Sequence, residues 1–177
     1  MPETVYDTFH HLRQHLKWDV NHLLSQETAG NYAVALLLAI GSEALSWLRS
    51  EREDHVFVGL MTKHGLTPEM AADVFKALRH GVAHVYDTRY IQSGAQKIEL
   101  IVSWGKRKHL AVRREPPGLY LNVRTMWEDR RHVFAELRET IEPGGELPAA
   151  WVRDSVQPGD PRAADGWVAW MTGHEEG

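Results

Sequence analysis

Val5, Phe9, Leu12, Leu16, Val20 and Leu23 recur at intervals of three and four residues, the stripe of a helix that packs on one face. The spacing predicts a helix over 3–27, punctuated by Thr28, Ala29 and Gly30. Asn31 is of a capping type, and the run YAVALLLAIGSEALSWLR that follows it is apolar nearly all round. Its unbroken apolar stretch, Ala33 to Ile40, is too short for a bilayer and suits the central helix of a bundle. After the charged loop SEREDH, the segment VFVGLMTKHG reads as a short third helix closed by Gly65. Thr67 and Pro68 open a fourth helix, with threonine capping free amides and proline at the first helical position. It is expected to run to about His84 or beyond, with Gly81 as a weak point inside it.

The period changes after Tyr90. KIELIVSW and HLAVRRE, separated by Gly105, Lys106, Arg107 and Lys108, read as an antiparallel β-hairpin, with GLYLNV as a third strand or an extended lead-in. Thr125 is the expected cap of a last helix, MWEDRRHVFAELRETI, with Trp127, Val133, Phe134, Leu137 and Ile141 on one side. The fold class is therefore mainly α: a bundle of four or five helices over 1–142, with a small hairpin at about 97–123 before the last long helix. The stretch 143–177 holds four of the eight prolines and six of the fourteen glycines, so it reads as an irregular tail whose Trp151, Trp167 and Trp170 could strap onto the body.

At 177 residues and 20.2 kDa the chain has room for one core and an appendage. The absence of cysteine excludes disulfides, thiolate zinc sites, iron-sulfur clusters and a cysteine nucleophile. The opening residues lack an apolar run behind a basic head, so the expectation is a soluble, cytoplasmic protein with no membrane partner. The net charge of -4 is unevenly placed: from Glu142 onward there are seven acids and two arginines. The body is thus close to neutral and able to carry a local basic patch. Eleven histidines make histidine chemistry worth testing.

The segment ALRHGVAHVYDTRY places Arg79, four residues, His84 and then Tyr86 late in the fourth helix. Here the sequence resembles the HEPN superfamily of helical-bundle domains, whose members often carry an arginine, four to six residues and a histidine, with a polar residue after the arginine. His80 fills that polar position and joins the substrate-binding candidates. The resemblance covers roughly 4–90 and leaves the hairpin and tail outside. It implies RNA cleavage without metal or cofactor, with two protomers sharing a cleft, and allows a toxin or defence setting with an antitoxin protein as partner. It equally implies an alternative, a noncatalytic dimeric module that binds a nucleotide, RNA or a protein.

The chemistry of these residues is coherent. A histidine that titrates near neutrality can take a proton from a ribose 2′-hydroxyl or donate one to the leaving 5′-oxygen. An arginine can pair with phosphate oxygens and stabilise charge growing at phosphorus. Five residues along a regular α-helix turn through about 140°. Convergence of Arg79 and His84 on one atom therefore requires a distortion near Gly81 or a second protomer.

Glu43 lies late in the apolar second helix, where an ionised carboxylate calls for a partner, and an arginine of the fourth helix is the natural one. It would orient Arg79 or poise His84; the other reading is a solvent-facing residue beyond the buried stretch. Tyr86 is suited to donate to phosphate, or to pack with its hydroxyl in water. Lys106, Arg107, Lys108, Arg113 and Arg114, with Trp104 and His109 among them, suit phosphates and an unpaired base, although such charges also guard edge strands. His80 with His84, or His11, His15 and His22 along helix one, have metal-ligand spacing. No His-Glu-x-x-His element accompanies them, and no metal site is expected.

Overall fold

In the computed structural model of the chain, residues 4–26, 31–82, 90–93, 96–105, 108–141 and 145–146 are described, with backbone alone at 80–82, 92–93 and 96. The first helix, α1 (Val5–Ser25), begins at a reciprocal cap. The Asp7 amide donates to Thr4 Oγ1 at 3.1 Å, and the Thr4 amide donates to the Asp7 carboxylate at 3.2 Å. The Thr4 hydroxyl also donates to the Asp7 carboxylate, at 2.8 Å, and that bond, then the one from the Thr4 amide, holds the Asp7 carboxyl below its ordinary range. Phe9, Leu16 and Val20 form the buried edge of α1.

Helix α2 (Asn31–Leu48) runs through the middle of the bundle, touching α1 and the later helices. It is long and apolar enough to span a bilayer, and 61% of it is buried inside the protein. Gly41 lets α1 approach closely, since a Cβ there would stand 2.7 Å from Leu16 Cδ2. A polar seam runs along the inner face of α2. The Ser42 hydroxyl donates to Leu38 O at 2.9 Å, and the Ser46 hydroxyl donates to Ser42 O at 2.9 Å while accepting the Val56 amide at 3.0 Å. That last bond ties α3 (His55–Thr62) to α2. Past α3, Gly65 takes φ +97, a left-handed backbone that a side chain resists.

Helix α4 (Pro68–Lys76) starts as the sequence predicts, with Thr67 Oγ1 accepting the Met70 amide at 3.3 Å and Pro68 in the first position. It does not continue as a regular helix. From Ala77 to Val82 the chain winds as a π-helix, with hydrogen bonds from residue i to i+5. Of the two alternatives, a distortion near Gly81 or a second protomer, the winding bears on the first: it widens from Ala77, four residues before Gly81.

The β-hairpin expected at 97–123 is corrected to a four-stranded mixed sheet, ordered β1 (Tyr90–Ser93), β2 (Gln96–Ser103), β4 (Gly118–Asn122) and β3 (Val112–Arg113). The segments KIELIVSW and HLAVRRE do not pair with each other. Instead β2 pairs antiparallel with β1 and parallel with β4, in the register Leu100 opposite Leu119 and Val102 opposite Leu121. Burial decides this arrangement. Those four side chains are buried together, whereas Val112 is 73% exposed and offers β2 no apolar face. The last helix, α5 (Val123–Thr140), starts two residues before the expected cap. The Asn122 side-chain oxygen accepts the Arg124 and Thr125 amides at 3.0 and 3.3 Å, so asparagine holds the position expected for Thr125. Trp127, Val133, Phe134 and Leu137 close the core from this side.

Candidate active site

Arg79 sits within the π-wound turn, and its Nε donates to Glu43 Oε2 of α2 at 2.7 Å. Glu43 is buried, its side chain 7% exposed, while that of Arg79 is 34% exposed. The solvent-facing reading of Glu43 therefore falls away, and the carboxylate does take its partner from the fourth helical segment. The bond uses Nε only. Both terminal nitrogens of the Arg79 guanidinium have no partner among the described residues. A guanidinium fixed by its inner edge and free at its outer edge is preorganised for a bidentate anion.

The local chain explains the placement. Buried Leu78 anchors the turn beside Arg79, and Ser42 and Ser46 keep the turn of α2 that bears Glu43 pinned to α3. π winding changes the angular argument as well. Residues five apart lie one above another where the bonds run from i to i+5, so a pair five apart shares a face there. His84 and Tyr86 lie outside the described residues, as do Lys106 and Arg107, and of His80 only the backbone is described.

The remaining basic residues near the sheet are differently engaged. Arg113 Nη2 pairs with Glu99, and its Nε donates to Pro116 O at 2.9 Å, so it is committed to the fold of β3. Lys108 is exposed. The Arg124 guanidinium covers the Trp104 ring, 5.1 Å from its centroid. His109 is buried, and its Nδ1 accepts the Asn122 amide at 3.1 Å. Its Nε2 has no partner among the described residues, and its ring meets the edge of His64 at 4.8 Å. Burial, with His64 beside it, pushes the His109 pKa down to about 4, against the weaker pull of Asp129. His64 Nε2 in turn lies 2.6 Å from Asp129 Oδ2 on α5. Tertiary packing creates this cluster across 65 residues, and nothing in the local sequence signals it.

Compared with known proteins, the chain matches no family model, no curated protein and no solved structure. The residues must speak for themselves. The His11, His15 and Trp18 rings line up along α1 at 6.4 Å steps, and no group of three histidines or carboxylates able to hold a metal occurs among the described residues. One further side chain escaped the sequence reading. Arg130 of α5 is 1% exposed and donates through Nη2 to the Ser42 hydroxyl, with Nε and Nη1 unpartnered among the described residues. Burial pushes its pKa down to about 9, with Asp129 opposing. An alternating pattern of charge on α5 marks that helix as amphipathic and gives no sign that one arginine points inward.

Proposed function

We propose that this chain is a metal-independent endoribonuclease of the HEPN kind, with Arg79 binding the scissile phosphate and His84 moving the proton. The observation that carries the reading is the Glu43–Arg79 pair: a buried carboxylate holds Nε at 2.7 Å, and the outer edge of the partly exposed guanidinium has no partner among the described residues. That is how an arginine is set to receive a phosphate, in place of folding back onto its own helix. The turn that carries Arg79 is π-wound from Ala77 to Val82, and His84, five positions past Arg79, lies outside the described residues.

In this mechanism His84 takes the proton of the ribose 2′-hydroxyl and the 2′-oxygen attacks phosphorus. The 5′-oxygen leaves with a proton from solvent or from a second copy of the site in a homodimer. Arg79 stabilises the charge that builds on the phosphoryl oxygens, and Tyr86 donates to the same phosphate. Glu43 is a positioning residue that acts through Arg79. Incubation of purified wild-type protein with varied RNAs in excess chelator tests the reading. Cleavage should persist, leave 2′,3′-cyclic phosphate ends, and fall a hundredfold or more in His84→Ala with RNA affinity nearly intact. Binding without any cleavage would assign the chain to the noncatalytic modules.

A further inference from the structure

Helices α1 and α5 enclose a groove of about 850 Å3 that none of the chemistry above uses. Its α1 wall carries Arg13 and Lys17, and its α5 wall carries Arg131 and Arg138. None of the four has an ion pair among the described residues. The two carboxylates in the lining, Glu128 and Glu139, lie eleven positions apart on α5, about 16 Å at helical rise, so they flank the cationic middle. On α1 the cations are four residues apart, about 6 Å along the axis, and both face the groove. Unpaired cations lining both walls of a cleft are an electrostatic footprint for a polyanion.

A second observation narrows the class. Trp18 is 61% exposed, the largest exposure of any α1 aromatic. It follows Lys17 by one residue, about 100° round the helix, so it stands outside the groove lining, next to its α1 wall. The His15 ring meets it edge-on at 6.4 Å and braces it. An exposed indole beside a cationic track is the arrangement that binds single strands, since phosphates follow the charges and an unpaired base stacks on the ring.

We infer that the α1/α5 groove is a binding track for single-stranded RNA, with phosphates on Arg13, Lys17, Arg131 and Arg138 and a base on Trp18. Neither Glu43 nor Arg79 lines this track, and the choice of RNA as its occupant rests on the proposed nuclease reading. The track is tested by binding alone, so its failure is distinguishable from the failure of cleavage. The probe is a fluorescein-labelled 12-nucleotide 2′-O-methyl RNA, which has no 2′-hydroxyl to react, titrated with the full chain and read by anisotropy.

Four phosphate contacts give a salt slope of about -2.8, so affinity falls roughly fifty-fold between 50 and 200 mM salt. The triple variant Lys17→Gln, Arg131→Gln, Arg138→Gln should flatten that slope to about -0.7. Trp18→Ala should weaken binding roughly tenfold with the slope unchanged. A control of equal charge change elsewhere, Lys63→Gln, Lys76→Gln, Lys97→Gln, should bind as wild type. All of these side chains are exposed, and circular dichroism checks each fold. A control that weakens binding as much as the groove variant overturns the inference. So does a groove variant that binds normally, preference for anionic vesicles over the oligonucleotide, or a Trp18→Ala effect confined to oligomeric mass.

Discussion

Removing Arg79 and removing Glu43 should have unequal costs, because the two partners are unequally buried. Arg79→Ala strands a carboxylate whose side chain is 7% exposed, with no other hydrogen bond recorded to it among the described residues. Breaking a fully buried pair in this way costs about 3–5 kcal/mol. The arginine is a third exposed, so water already shares part of the interaction and about 2–3 kcal/mol is the working figure. For a chain of this length that lowers Tm by roughly 5–10 °C. Glu43→Gln leaves a guanidinium that already reaches water, and the amide oxygen can still accept from Nε, so its cost should be about 1 kcal/mol. The double variant Arg79→Ala, Glu43→Gln buries no charge and should recover about 1 kcal/mol or more relative to Arg79→Ala alone. Urea unfolding of the four proteins at constant m-value reads the whole cycle. Additive costs, or an Arg79→Ala midpoint equal to wild type, would refute the view that a buried carboxylate holds this arginine.

Three further outcomes follow from the buried polar groups and the turn. His109 has a folded pKa of about 4 against an ordinary 6.5, so the unfolded chain takes up its proton first as pH falls. The stability this contributes is complete above about pH 6.5 and is lost toward pH 4, up to about 3 kcal/mol; His109→Asn should flatten urea midpoints across that window. Arg130→Met replaces a fully buried cation that has two nitrogens without a partner among the described residues. It should be neutral or stabilising by about 1–4 kcal/mol, whereas Arg130→Ala should destabilise through its cavity; thermal unfolding showing the methionine variant as the weaker of the two would contradict this. Gly65→Ala meets no neighbouring atom but is forced to φ +97, so it should cost about 1 kcal/mol in the same assay.

What was legible in the sequence was mostly local. The stripe from Val5 to Leu23 and the Thr67–Pro68 start translate directly into α1 and α4, because periodicity and capping act over one or two turns. Glu43 was legible for a different reason: a carboxylate among apolar neighbours needs a cation, and the fourth helical segment supplied one. Strand order was not legible. Apolar alternation marks which segments are strands, but the preference of Leu100 and Val102 for Leu119 and Leu121 over Val112 is decided by what the sheet can bury. Asn122 and Thr125 both have capping side chains, and the start of α5 fell to the one next to β4. The inward turn of Arg130 and the meeting of His64 with Asp129 belong to tertiary packing alone.

The π-wound turn also sets how this protein tolerates changes in chain length. A stretch bonded from i to i+5 carries more residues per turn than a regular helix, as if a residue had been inserted without breaking the element. Deleting Ala77 would let α winding close over the gap at little cost to the helix itself. Arg79 would then arrive one position earlier, turned about the axis away from the carboxylate that holds it. Length and site are therefore under separate constraints at this point: the bundle can spare the residue, and the Glu43–Arg79 pair cannot.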